Sequence, residues 1–169
     1  NVLLTFAQFE REIMVDRIRD KKRLVRQSGR WAGGGAPFGY SIRNHILHPV
    51  PSEVPKVRFL FDTFAECGSY RALRKECLNA GFTGRRYTRK GKKCEGLAPG
   101  TSGIRYVLGN PVYVGLVRCG EEIFPGRHQP IIEKELFDRV QALRRKIEDN
   151  VVKRRREPAL LNKLLYDCY

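Results

Sequence analysis

The stretch GRWAGGGAPFGY, Gly29 to Tyr40, separates two unlike parts of the chain. Residues 1–27 before it contain no glycine or proline. Apolar residues recur there at helical spacing: Val2, Phe6, Phe9 and Ile13. This pattern predicts one long helix that Ser28 and Gly29 bring to an end. After the stretch, short periodic segments alternate with glycine and proline, so the stretch is predicted to join a long helix to a separate domain.

Downstream of this joint, the hydrophobic pattern predicts short helices and one hairpin. Helical spacing predicts helices that begin near Ser52, Ser69, Thr101 or Ser102, and Glu133. The segment 112–124 alternates and turns at Gly120, which predicts a β-hairpin. Residues 81–100 show no periodicity, so a long irregular loop is expected there. The basic run KRRREP, residues 153–158, is expected to interrupt the last of these helices. The expected fold class is mainly α with a small β-hairpin (α+β).

The net charge indicates what kind of partner the chain binds. Thirty-three Lys and Arg residues against 18 Asp and Glu residues leave a net charge of +15. The basic residues cluster in three blocks: Arg17–Arg30, Arg85–Lys93 and Lys153–Arg156. Clustering favours a polyanion partner over a merely solvated surface, because each cation placed on a phosphate releases condensed counterions. The three blocks therefore predict a protein that tracks a nucleic-acid backbone. The base-reading helix described next makes double-stranded DNA the expected partner. No apolar run approaches the length of a membrane span, so no membrane partner is expected.

The helix near Thr101 is the best candidate for reading bases. Its spacing exposes Ser102, Arg105 and Tyr106, which would reach base edges or phosphates from a major groove. The alternative is an ordinary amphipathic helix with a solvated arginine. The hairpin that follows would then be a wing, with Arg118 near its tip as a further contact. The long N-terminal helix is therefore expected to lead into a winged-helix-like DNA-binding domain.

Two further groups of basic residues are predicted to contact DNA. Those of the second block are expected to touch phosphates rather than bases, with functionless disorder as the alternative. They are Arg85, Arg86, Arg89, Lys90, Lys92 and Lys93. Arg23 and Arg26 lie in the basic half of the long helix and are predicted contacts as well.

The joint divides into an arm and a turn. The segment from Arg30 to Gly35 is predicted to form an extended basic arm that enters a minor groove, because glycine lets the backbone approach closely. Its predicted DNA contacts are Arg30, Trp31 and Gly33. The segment 37–40 is predicted to be a tight turn whose aromatic rings pack on the following helices. Arg30→Ala is expected to weaken DNA binding more than the same change at Arg144, which we take here as an ordinary surface arginine.

The serines, histidines and cysteines of the sequence do not form a recognisable catalytic or metal-binding pattern. Four of the five serines lie at helix ends or turns, where capping explains them. The three histidines show no metal-like spacing, and the five cysteines form no C-x-x-C pair, which fits a reducing cytoplasm. We expect this chain to be a non-catalytic fragment of a longer protein, without a cofactor of its own.

Four motifs in order resemble the large serine recombinases, the family of serine integrases and related transposases. They are FAQFEREIMVDRI (6–18), GRWAGGGAPFGY (29–40), LGNPVYVG (108–115) and HQPIIEKELFDRVQ (128–141). The resemblance runs from about Leu4 to Ile147. It implies a DNA-binding recombinase domain preceded by the helix that leaves a serine catalytic domain, whose nucleophilic serine would lie upstream of Asn1. The parent protein would then be a site-specific recombinase that cleaves and rejoins DNA strands.

The resemblance also sets the expected organisation. Residues 1–28 would be the linker and assembly helix, 29–150 the recombinase DNA-binding domain, and 151–169 a linker and the start of a truncated zinc ribbon. Cys168 would be the first zinc ligand in the full-length protein, which would also form dimers and tetramers. The fragment itself is expected to be a monomer or weak oligomer. A cytoplasmic, nucleoid-associated protein of a bacterium, phage or mobile element is expected.

Two alternatives from other classes stay open at this point. One is a winged-helix transcription regulator or a general nucleic-acid-binding module, which composition and periodicity do not separate from a recombinase domain. The other is a pure assembly module, which would show no salt-dependent DNA binding.

Overall fold

The chain begins with α1, a 26-residue helix from Val2 to Gln27. In this computed structural model the described residues are 2–89, 92–96 and 100–156. Gly29 ends the helix in the left-handed conformation, φ 73°, and the Arg30 N–H donates to the Val25 carbonyl at 3.1 Å. Glycine adopts this conformation at no steric cost. The predicted long helix is confirmed over Val2–Gln27.

A hairpin follows the joint. Strands β1 (Tyr40–Arg43) and β2 (Ile46–Pro49) pair antiparallel. The two residues between them, Asn44 and His45, have φ of 49° and 61°, as a tight two-residue hairpin turn requires.

Helices α2 (Val54–Cys67) and α3 (Tyr70–Asn79) form a corner. Gly68 separates them in a left-handed conformation, and Ser69 is the N-cap residue of α3, as predicted. The predicted cap of α2 at Ser52 is wrong, because Glu53 is the N-cap residue. The Glu53 carboxylate instead accepts from the Gly39 N–H at 2.8 Å, which ties the start of α2 to the joint.

The expected irregular loop at residues 81–100 is wrong. Strands β3 (Gly84–Arg89) and β4 (Lys92–Gly96) form an antiparallel hairpin with a register shift between Gly84 and Tyr87. The segment is rich in basic and polar residues and lacks the apolar–polar alternation that identifies a half-buried strand. Backbone pairing forms this hairpin without an amphipathic pattern in the sequence.

The predicted third helix is α4, Thr101–Leu108, with Gly100 rather than Thr101 or Ser102 as its N-cap residue. A 3-10 turn at Pro111–Val114 then takes the place of the first residues of the predicted hairpin. Proline lacks the N–H that a strand ladder needs, and the Asn110 side chain accepts from the Val112 N–H at 3.2 Å. The hairpin therefore starts later, as β5 (Leu116–Cys119) and β6 (Glu122–Pro125), with Gly120 in its turn as predicted.

The last helix, α5, runs from Lys134 to Arg156. Its start agrees with the prediction near Glu133. The basic run was expected to interrupt it, and that expectation is wrong, because Lys153–Arg156 is helical. The boundary predicted at residues 150 and 151 stays a prediction.

The core is built around aromatic rings. Phe61 and Phe64 of α2 and Tyr40 and Tyr113 are fully buried, and Tyr40 lies 6.0 Å from Tyr113 between ring centroids. The predicted turn at 37–40 is present, since the Tyr40 N–H donates to the Pro37 carbonyl at 3.1 Å. The mainly helical α+β prediction is confirmed, and the described residues hold three two-stranded hairpins rather than one. None of the helices in the described ranges is long and apolar enough to cross a membrane.

Candidate nucleic-acid interface

Helix α4 presents opposite faces to the core and to solvent. Its buried face consists of Ile104, Val107 and Leu108. The predicted contacts Ser102, Arg105 and Tyr106 are all exposed, and Tyr106 exposes 65% of its surface. The helix therefore holds these side chains outward on a fixed base, although their contact with DNA stays a prediction.

An open groove of about 350 Å³ lies beside α4. We call it the arginine groove, because four arginines from four elements line it. They are Arg26 of α1, Arg105 of α4, Arg118 of β5 and Arg144 of α5. No described carboxylate lines the groove. Four cations around one opening make a concave surface that favours an anion.

Two aromatic side chains complete the lining of the arginine groove. Tyr106 lies on its α4 side, and Trp31 comes from the joint. The Trp31 Nε1 and the Arg26 Nε atoms are buried, and neither has a hydrogen-bond partner among the described residues. Five of the predicted site residues thus meet here: Arg26, Trp31, Arg105, Tyr106 and Arg118.

The arm of the joint is fixed at one end and exposed at the other. The Trp31 N–H donates to the His45 carbonyl at 2.6 Å, and the indole packs against the core. Arg30 and Gly33 are exposed, and Gly33 has φ 72°. A Trp31 already held by the core departs from the expected loose arm. Arg30 and the glycines keep the exposure that a backbone-tracking arm needs.

Arg23 has a partner within the chain. Its Nη2 lies 2.6 Å from Glu122 Oε1, and its Nε donates to Glu122 Oε2 at 3.0 Å. This two-point pair ties α1 to the β5–β6 hairpin. A second tie lies nearby, where the Arg127 N–H donates to the Gly29 carbonyl at 2.9 Å. The predicted contact of Arg23 with DNA would require this pair to open or to share its guanidinium.

The second basic block lies on the β3–β4 hairpin. The predicted contacts Arg85, Arg86 and Arg89 belong to β3, and Lys92 and Lys93 belong to β4. Arg89 pairs with Lys92 in the register, so basic positions gather toward one end of the hairpin. Lys90 lies outside the described residues. The second basic block therefore lies on a hairpin and not on the irregular loop that was expected. Its contact with phosphates stays a prediction.

Arg144 is less exposed than predicted. It was taken as an ordinary surface arginine, but its side chain is only 18% exposed and lines the arginine groove. Its Nε donates to the Tyr70 hydroxyl at 3.1 Å. The spacing of α5 gives no signal for this role, because Tyr70 lies 74 residues away in sequence.

His128 is a core residue. Its Nε2 lies 2.7 Å from the Val112 carbonyl, so this nitrogen carries the proton and donates. Burial lowers the pKa of His128 and raises the pKa of the Cys77 thiol. Within the described ranges, no group of three or more His, Cys, Asp or Glu side chains could hold a metal ion. The predicted zinc ligand Cys168 lies outside the described residues.

The sequence profile of the recombinase family matches residues 51–146, more than half of the chain. The chain belongs to the recombinase family. The resemblance to the large serine recombinases found in the sequence is thereby confirmed, and the matched region runs from the start of α2 into α5.

Solved structures agree with this family assignment. The crystal structure of an LSR–DNA complex (LSR, large serine recombinase) is similar to this recombinase-family chain. Its TM-score is 0.64, with 25% identity over 78% of this chain and 38% of that one. A structure from work on the sequence requirements of the Listeria innocua prophage attP site has a TM-score of 0.63, with 24% identity over 89% of this chain and 58% of that one. The chain therefore spans less than two thirds of either protein.

Proposed function

We propose that this chain is the DNA-recognition part of a site-specific serine recombinase. It binds duplex DNA at a recombination site and positions a serine catalytic domain for strand cleavage and exchange. The arginine groove is the observation that carries the proposal. It gathers cations from α1, α4, β5 and α5 at one opening, beside the exposed face of α4. The similar LSR–DNA complex supports the same partner.

The residues divide into two kinds of contact. Arg26 and Arg118 line the groove and hold the phosphate backbone, which fixes the position and orientation of the domain on the duplex. Arg105 and Tyr106 lie on the exposed face of α4, from which side chains reach base edges. The phosphate contacts supply most of the affinity, and the α4 contacts supply the discrimination between sequences.

The remaining parts of the proposal follow from the recombinase family. The exposed apolar side chains of α1, among them Phe6, Phe9 and Met14, are then the surface for self-association in the full-length protein. A zinc ribbon beginning near Cys168 would extend the DNA contact. Such a protein acts on chromosomal or mobile-element DNA and resides in the cytoplasm with the nucleoid.

Fluorescence anisotropy against salt tests the DNA-binding role. The probes are a duplex that the wild-type chain selects from a random pool and a scrambled duplex of the same composition. The slope of log affinity against log salt is expected to become shallower by about 0.9 for each phosphate contact removed, as in Arg118→Gln. Arg139→Gln is the matched control, because Arg139 is exposed on α5 and lies outside the groove lining. A flat salt dependence of the wild-type chain would refute DNA binding.

The recombinase role needs a second experiment in the full-length protein. A reporter plasmid with two recombination sites measures strand exchange, and Arg118→Gln is expected to reduce it in proportion to the loss of DNA binding. Normal DNA binding without strand exchange by the full-length wild type would contradict the recombinase assignment and favour a regulator.

A further inference from the structure

Arg105 rests on a tyrosine that the core holds in place. Its guanidinium carbon lies 4.7 Å from the centroid of the Tyr70 ring, the geometry of a cation–π contact. The Tyr70 residue is only 6% exposed, and its ring lies 5.0 Å from the buried ring of Phe64. An exposed arginine on α4 therefore lies against a buried, well-packed surface of α3.

A second arginine fixes the other end of that tyrosine. Arg144 Nε donates to the Tyr70 hydroxyl at 3.1 Å, and Arg144 Nη1 donates to Gln141 Oε1 at 2.6 Å. Gln141 Nε2 in turn donates to the Leu108 carbonyl at the end of α4, at 2.7 Å. The contacts therefore form a closed circuit from α4 to α3, from α3 to α5, and back to α4.

Gly109 leaves room for this circuit. A Cβ atom at Gly109 would lie 2.5 Å from Arg144 Nη1 and 2.9 Å from its Cζ. The φ of Gly109 is −93°, which any residue adopts, so its backbone conformation does not require glycine. The absence of a side chain instead leaves space for the Arg144 guanidinium, and a methyl group there would push that guanidinium away from its partners.

We propose that Tyr70 and Arg144 are positioning residues that hold the Arg105 guanidinium ready for DNA, with Gly109 giving Arg144 its place. The inference rests on the proposed DNA-binding function. A free arginine on a helix surface loses rotamer freedom when it binds, whereas a guanidinium already held on a ring loses less. The circuit thus raises affinity and sequence discrimination at α4 without adding a charge.

The free protein tests the positioning without DNA. In NMR spectra, the Nε–H of Arg105 is expected to show a ring-current shift from Tyr70. Gly109→Ala is expected to reduce that shift while the chain stays folded, because its Cβ meets the far end of a flexible side chain. Arg71, exposed on α3, supplies an unaffected reference signal. An Arg105 signal with no ring-current shift in the wild type would refute the positioning itself.

DNA titrations test its consequence. Gly109→Ala and Tyr70→Leu keep every charge, so each is expected to weaken binding to the selected duplex about two- to fivefold with the salt slope unchanged. Arg105→Gln is expected to weaken binding to the selected duplex more than to the scrambled duplex, because Arg105 reaches base edges rather than phosphates. Gly109→Ala added to Arg105→Gln is expected to cost little more, because the positioned group is already gone.

The outcomes separate this inference from the function on which it rests. Equal losses from Gly109→Ala in the presence and absence of Arg105 would overturn it and leave only a structural role for Tyr70 and Arg144. Tyr70→Phe keeps the ring and removes the hydrogen bond from Arg144, so it covers the case in which Tyr70→Leu does not fold. A wild-type chain that binds no DNA would refute the proposed function, while the NMR shift would still decide whether Arg105 is held.

Discussion

Replacing Glu122 by glutamine releases Arg23 from the pair that holds it against the β5–β6 hairpin. The two residues meet at two points, 2.6 Å and 3.0 Å apart, with side chains 52% and 47% exposed. Water and salt screen a pair of this exposure, while two-point geometry places it at the upper end of exposed pairs. Its contribution is therefore about 1 kcal/mol. Losing it raises the ratio of free to paired Arg23 about fivefold.

A freed Arg23 gives α1 one more cation for a phosphate. Glu122→Gln is therefore expected to strengthen DNA binding and to steepen the salt slope by up to about 0.9. Glu121→Gln is the matched control. It removes the same charge from the neighbouring exposed position, and Glu121 forms no ion pair within the described residues. The difference between the two variants isolates the pair from the general change in charge.

Anisotropy titrations of both variants over a salt series provide the measurement. Hydrogen exchange at the C-terminal end of α1 provides a second one, since loss of a tie should speed exchange there. Identical affinities and slopes for Glu122→Gln and Glu121→Gln would refute the reasoning that Glu122 withholds Arg23 from DNA.

Three further outcomes are expected. Gly39→Ala should lower the free energy of unfolding by about 2–4 kcal/mol in urea titrations. The reason is that φ of Gly39 is 91° and the new Cβ would lie 2.8 Å from Val57 Cγ2. An unchanged urea midpoint would contradict this. The free energy of unfolding should fall as pH drops below the normal pKa of histidine. The pKa of His128 is lowered in the folded chain, so the unfolded chain binds the proton more readily than the folded chain does. Thermal melts of His128→Gln over a pH series should show less of this dependence. Arg30→Ala should weaken binding to the selected duplex more than Arg139→Ala in anisotropy titrations, and equal losses would count against the arm.

Glycines in the sequence predicted where three of the helices end. Gly29, Gly68 and Gly109 end three helices where the pattern placed their ends, and Gly29 and Gly68 do so in the left-handed conformation that glycine adopts without strain. The β3–β4 hairpin was missed for a local reason too. Its residues give no alternation of apolar and polar side chains, and backbone pairing leaves no trace in composition.

The candidate site was predictable only in its parts. Exposure of Arg105 and Tyr106 followed from the spacing of α4, because one helix face must be buried. Their meeting with Arg26, Arg118 and Trp31 did not follow, since α1, the joint, α4 and β5 converge only after the chain folds. The place of Arg144 beside this groove could not be predicted for the same reason. A helix pattern reports which face of α5 is apolar, but not which polar residue lies beside another helix.

The ties at the C-terminal end of α1 have a mechanical consequence. Arg23 is held by Glu122 and Gly29 by Arg127, while about 21 residues of the 26-residue helix extend beyond Arg23 toward Val2. At 1.5 Å per residue this length is about 32 Å. A tilt of about 10° at the fulcrum therefore moves the far end by about 6 Å. A catalytic domain attached to the Val2 end, as the proposed function requires, would therefore be displaced by several ångströms when the β5–β6 hairpin shifts slightly.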